Sequence, residues 1–150
     1  MTPQALEHYL HAHIPLSLAM QVHVEEVDTD HIVLSAPLAP NINHRETVFG
    51  GSASAVAILA AWSLLNTRLR SEGIATKLVI QRNTMSYEAP IAGSFTAISR
   101  LEAPEKWAPF MRTLLRHGKA RIRVLAELHY AGQVAGRLEG EFVALGADPL

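Results

Sequence analysis

Residues 49–70 contain no proline, no acidic residue and no glycine after Gly51, and they suit a single helix of about six turns. Ala53, Ala55, Ala57, Ala60 and Ala61 are small enough for close backbone approach, while Val56, Ile58, Leu59, Trp62 and Leu65 spread bulk around most of the circumference. A helix that is apolar on nearly every side has to be enclosed. A bilayer does not serve, because the run over residues 56–65 is interrupted by Ser63 and falls well short of the roughly 20 apolar residues of a membrane span. A length of 150 residues gives chain for one core and not for two, so residues 1–150 read as one domain built round this helix.

The flanking pattern supplies a sheet. Thr2 and Pro3 open a first helix that carries Leu6, Tyr9 and Leu10 on one stripe and ends at Pro15. From Leu18 the period becomes two, with Leu18, Met20, Val22 and Val24 facing one way and Gln21, His23 and Glu25 the other. This predicts a strand, a turn at "DTD" (28–30), and a second strand through Ile32, Leu34, Ala36 and Leu38. Gly73 suits the left-handed end of the long helix. Strands follow over 76–88, 94–101, 119–130 and 133–145, the last two joined by a turn at "AGQ". Between the second and third of these, Trp107, Phe110, Met111 and Leu114 share one side of a short covering helix that stops at Gly118. There is no internal repeat and no linker. The order is α+β, and an antiparallel sheet wrapped around the long helix is the economical way to bury both.

The formal charge of −1 and a pI near 6.7 provide no field for nucleic acid or an acidic membrane surface, leaving small ligands and neutral partners. No cysteine is present, which removes disulfides, thiolate nucleophiles and thiolate metal sites together. The first fifteen residues lack a basic start, an apolar core and a small-residue cleavage site, so they are not read as a secretion signal, and a cytoplasmic address is the expectation.

The helix is entered through "NHRETVFGGS" (43–52), and "SYEAPIAG" (86–93) ends the following strand. With the element order, these segments resemble the hot-dog fold of acyl-thioester enzymes. Many members of that family carry an Asn, a short polar loop, a paired glycine at the helix start, and a later Tyr-x-x-Pro-x-x-Gly, matched here by Asn43, Gly50, Gly51, Tyr87, Pro90 and Gly93. Followed by "LAAWSLL" (59–65), the entrance is most similar to the thioesterase domain that some bacteria fuse behind a GNAT-type acetyltransferase, the YiiD C-terminal type. With no room for an acetyltransferase, this chain would be a free-standing version. The resemblance implies a homodimer, or a tetramer built from it, with strands paired across the interface. It also implies two sites between protomers for acyl-CoA or acyl carrier protein thioesters, with neither cofactor nor metal. One departure stands out. Hot-dog thioesterases of the phenylacetate-pathway type have His-Gly-Gly at the helix start and an Asp one to two turns on, where this chain has Phe49 and residues near Ile58. A helix carboxylate is therefore not the base.

Thioester hydrolysis needs an attacking water and donors for the oxygen that becomes negative. The first amides of a helix have no acceptor within it, so the N–H groups of Gly50, Gly51 and Ser52 are candidates for an oxyanion site. One such donor is worth on the order of 3 kcal/mol in a hydrolase. Glu46 and His44 are the available bases, Glu46 favoured because a carboxylate is welcome near a helix start, and Asn43 is the group to position the water. Asn43, His44, Glu46 and Gly51 form the candidate catalytic set. Phe49, Gly50, Ser52, Gln81, Asn83 and Tyr87 are the candidate substrate contacts, the last three reckoned to share one face of a strand.

Each has a plainer alternative. Paired glycines serve tight turns, Asn43 suits a turn, Glu46 or Thr47 can cap the helix, and Gln81 and Asn83 can bond across a dimer seam. Lys106, Arg112, Arg116, Lys119, Arg121 and Arg123 can hold coenzyme A phosphates or an acidic carrier, or form a solvated edge. His8, His11 and His13 lack a carboxylate at metal-binding spacing and are not read as a zinc site. Two further functions compete with hydrolysis: a protein that binds acyl thioesters without turnover, and a hot-dog dehydratase using His44 with Glu46.

Overall fold

The computed structural model describes residues 1–150. Helix α1 (Pro3–His13) begins at Thr2, whose hydroxyl accepts the Ala5 amide at 3.1 Å, and buries Leu6 and Leu10. Pro15 ends α1 and also opens a second helix, α2 (Pro15–Ala19), because its fixed φ suits a first helical position. The strand expected from Leu18 is therefore corrected. The chain is helical to Ala19, passes Gln21 at φ +57, and only then enters β1 (His23–Val27). Leu18 is 58 % exposed on α2, whereas Met20, Val22 and Val24 are buried, so the alternation was genuine from Met20 onward and accidental before it.

β2 (Ile32–Ala36), α3 (Gly50–Ser71), β3 (Ile74–Tyr87), β4 (Phe95–Leu101), α4 (Trp107–His117), β5 (Lys119–Tyr130) and β6 (Gln133–Pro149) complete the chain. β2 stops short of Leu38 at Pro37, and β6 runs on past Leu145 through Gly146 at φ +83. The β5–β6 turn places Ala131 and Gly132 at φ +52 and +76, the left-handed pair that matches the twist of a two-residue hairpin. All six strands form one antiparallel sheet in the order β1-β2-β4-β5-β6-β3, which leaves β1 and the long β3 as edges.

The sheet curls around α3. Val56, Ala57, Ala60, Ala61, Leu64 and Leu65 are wholly buried, and the buried Ser99 hydroxyl of β4 donates to the Ala60 carbonyl at 2.8 Å. Alanine at these positions is what lets the helix backbone come within a hydrogen bond of a strand. α4 covers the core at the C-terminal end of α3 with Trp107, Phe110, Met111 and Leu114, and the Arg68 guanidinium lies 4.3 Å above the Trp107 ring. Burial holds Arg68 below its ordinary range, with Asp30 and Glu72 opposing that shift. The expected enclosure of α3 is incomplete: Gly51 is exposed, and Ala55, Ile58 and Trp62 are only half-buried along one face. No helix is long and apolar enough to cross a membrane.

Because Ala60 has no free volume and its carbonyl is bonded to β4, Ala60→Leu is expected to destabilise the fold by about 1–3 kcal/mol through overpacking. Urea denaturation checks this, with the midpoint falling and the slope unchanged.

Candidate active site

A bridge between Ile42 and Val48 closes the loop ahead of α3. Inside it, the Asn43 amide donates to the Thr47 carbonyl at 2.8 Å, and the Asn43 side-chain oxygen accepts the amides of Arg45 at 2.7 Å and Thr47 at 3.2 Å. Its Nδ2 donates to the Thr47 hydroxyl at 2.9 Å. Asn43 is thus committed to shaping the turn, the plainer of its two readings. Glu46 stands at φ +64, a left-handed conformation that only a turn demands of a glutamate. His44, Arg45 and Glu46 are exposed and make no side-chain hydrogen bond or ion pair. The capping alternative is corrected: the residue preceding α3 is Phe49, and no side chain caps the helix.

Two backbone bonds fasten the end of the loop, Val48 N–H to the Ile91 carbonyl at 2.8 Å and Phe49 N–H to the Asn41 carbonyl at 2.7 Å. The first amide bonded within the helix is that of Ala53, to Phe49 at 3.0 Å. The N–H groups of Gly50, Gly51 and Ser52 have no acceptor in the chain. The Tyr87 hydroxyl donates to the Gly50 carbonyl at 3.2 Å and its ring lies against Gly50, which ties the end of β3 to the helix start. The Phe49 ring folds over Gly51, in the space that a Cβ there would occupy. A Cβ at 51 would push aside the ring of Phe49, which is exposed.

Beside this helix start lies a hollow of about 330 Å³ walled by Gly50, Ala53, Tyr87, Glu88, Pro90 and Ile91 among others. Of the sequence-derived candidates it contains Gly50 and Tyr87; Asn43, His44, Glu46, Phe49, Gly51 and Ser52 lie outside its walls. The carboxylate that does line it is Glu88, whose Oε2 is 2.8 Å from Arg137 Nε, while Arg137 also meets Glu127 at 2.6 Å. Sequence reasoning passed over Glu88, although its place directly after Tyr87 in the Tyr-x-x-Pro segment was the available signal. Gln81 and Asn83 are both absent from the hollow: a bulge between Ile80 and Arg82 takes Gln81 out of alternation with Tyr87, whereas Asn83 keeps its register with Tyr87 and lies four residues, about 13 Å, away along the strand. Gln81 instead accepts a bond from Arg121 at 2.9 Å.

The basic stretch is divided. Arg123 lies 3.7 Å from Glu102 and 3.6 Å from Glu141, and Arg112 and Arg116 are exposed on α4, which packs at the opposite end of α3 from the free amides. His11 Nε2 meets the Val22 carbonyl at 2.8 Å and His13 packs on Tyr9, while His8 is exposed; no three His, Asp or Glu converge on a common point.

A curled antiparallel sheet wrapped around one long helix is the hot-dog fold. A protein of unknown function from Chlorobaculum tepidum TLS superposes with a TM-score of 0.91 at 31% identity, covering 97% of this chain and 97% of that one. A "putative thioesterase" from Shewanella oneidensis gives 0.84 at 24% identity (95% and 96% covered), and a thioesterase from Haemophilus influenzae 0.76 at 11% (97% and 92%). At those identities the last two report on the fold alone. The family model described as "Putative thioesterase (yiiD_Cterm)" matches residues 3–146, and the chain belongs to that family.

The left-handed turn at Glu46 gives a test that separates folding from chemistry. A glycine there is free of the strain a side chain incurs, so Glu46→Gly is expected to raise stability by about 0.5–1 kcal/mol. A loss of stability in thermal or urea unfolding would mean that the glutamate side chain makes a contact the fold needs.

Proposed function

We propose that this chain is a cytoplasmic thioesterase that hydrolyses acyl thioesters of coenzyme A or an acyl carrier protein, as a homodimer with its sites between protomers. The observation that carries the reading is the set of three unpaired amides at Gly50, Gly51 and Ser52, the first of which lines an accessible hollow. A thioester carbonyl drawn to them gains donors aimed at the charge that develops during attack, and the dipole of α3 adds to the effect. Water then needs a base. Glu46 on the loop and Glu88 in the hollow are the two carboxylates at the entrance, with His44 a third group in reach of the loop; Asn43 acts by holding the loop's shape. Phe49, Ser52 and Tyr87 bound the approach of the substrate. The long edge of β3, paired only with β6, supports the dimer, because an edge of this length is normally covered by another strand.

Thiol release from a panel of acyl-CoA and acyl carrier protein substrates tests the proposal. Of Glu46→Gln and Glu88→Gln, the variant that removes the base is expected to lose roughly 10²- to 10⁴-fold in kcat, with the other near wild type. Wild-type turnover in both would assign the water to His44 or to the backbone site alone. Tight binding with no turnover in the unaltered protein would favour the rival reading, an acyl-thioester binding protein, for which the absence of any carboxylate within α3 speaks.

A further inference from the structure

Asn41 lies in the short 3₁₀ turn Ala39–Asn41 that follows β2; it is 1 % exposed and is the one wholly buried amide side chain of the protein. Both protons of its Nδ2 are used, one by the Met20 carbonyl just past α2 at 3.0 Å and one by the Pro37 carbonyl just past β2 at 2.8 Å. Both partners are oxygens, so the amide cannot be turned the other way round, and its Oδ1 meets no donor of the chain. On the main chain, Asn41 donates to the Leu38 carbonyl at 2.8 Å and its own carbonyl accepts the Phe49 N–H at 2.7 Å. Three segments far apart in sequence thus meet at one residue: the end of α2, the end of β2 and the residue that precedes α3.

The bond to Phe49 is made one residue before the free amides of Gly50, Gly51 and Ser52, so a shift of Asn41 is passed straight to them. Val48 is tied separately, to Ile91, and His44, Arg45 and Glu46 between them are exposed. The α1–α2 segment otherwise meets α3 farther along, where the Tyr9 ring stacks on Trp62 at 6.3 Å. Its connection to the start of α3 runs through the Asn41 side chain. Donors aimed at a developing charge have to be held to within about 0.5 Å, which calls for a supporting group whose own rotamer is locked by packing and hydrogen bonds. Asn41 is such a group, and the exposed loop is not.

We propose that Asn41 is the positioning residue for the three free amides, and that through it the α1–α2 segment sets where they stand. The consequence for turnover rests on the thioester reading of the helix start. Asn41 lies outside the walls of the hollow and acts through the Phe49 backbone.

Amide hydrogen exchange followed by NMR, together with acyl-CoA hydrolysis, tests the assignment. In the unaltered protein the Phe49 amide should exchange about a hundredfold or more slowly than those of Gly51 and Ser52. Exchange at their rate overturns the proposal by itself. Asn41→Asp keeps the shape and sets oxygen against the two carbonyls; Asn41→Ser, too short to reach both, is the second variant should the first fail to fold. In either, exchange at Phe49 is expected to quicken about tenfold while β5 keeps its rates, and kcat to fall about tenfold or more with KM within about twofold. Quickened exchange throughout β5 would mark a general loosening of the fold and count against a positioning role. Leu18→Gly loosens α2 at an exposed position; its loss of kcat, about threefold, should appear with Asn41 intact and vanish in Asn41→Ser. Unchanged kcat in the Asn41 variants, or equal effects of Leu18→Gly in the two backgrounds, overturns the proposal and leaves the thioesterase reading standing. No hydrolysis by the unaltered protein ends that reading instead, and exchange at Phe49 in the variants then decides for or against Asn41.

Discussion

The close approach of α3 to the sheet, fixed by the hydrogen bond from Ser99 to the Ala60 carbonyl, is the constraint on which the rest depends. Only a helix with small residues on its sheet-facing side can sit so near a strand that a serine reaches its backbone. Once it does, the start of α3 is no longer free to shift relative to β3 and the loop. Val48 and Phe49 bond to Ile91 and Asn41 on either side, and Tyr87 reaches across to Gly50. The unpaired amides are therefore held by packing that lies well away from them, which is the arrangement electrostatic preorganisation requires.

The elements legible in the sequence were those whose signal is local and redundant. The bounds of α3 followed from a long stretch free of proline and acidic residues with a glycine at each end; β5 and the start of β6 followed from alternation around a left-handed turn. α2 was missed because a five-residue helix leaves too few positions for a helical period to show, and because Met20, Val22 and Val24 extended a true strand pattern back onto it. The site was legible to a different depth. Gly50 and Tyr87, which line the hollow, were singled out by the paired glycine at the helix start and by the Tyr-x-x-Pro-x-x-Gly segment. The environment of Glu46, Glu88 and Gln81 was not, since exposure, an ion pair to Arg137 and a bulge at Ile80 are decided by residues far away in the chain. The open face of α3 was hidden for a related reason: apolar residues all round a helix look the same whether the last stripe is covered by protein or left for a ligand.

Glu46 and Glu88 represent opposite solutions to one problem. Glu88 is positioned, since Arg137 holds its carboxylate in the wall of the hollow, but that ion pair also occupies one of its two oxygens. Glu46 has no such partner, and nothing in the protomer directs it at the hollow. Under the proposed hydrolysis, a carboxylate that is both placed and unpaired calls for one further surface near the entrance, to release the first or to fold the second inward.

The β3 edge shows where such a surface would lie. Trp62 already occupies the Leu78 carbonyl, and the bulge after Ile80 interrupts the ladder, whereas residues 82–87 have no side chain bonded to their backbone and end at Tyr87, against the start of α3. A strand added to that stretch would come to rest alongside Tyr87 and Glu88, next to the free amides. Under the proposed dimer, the pairing that removes an exposed edge is then also the step that walls the reaction site, and loss of the edge contact should remove turnover before it removes the fold of the single chain.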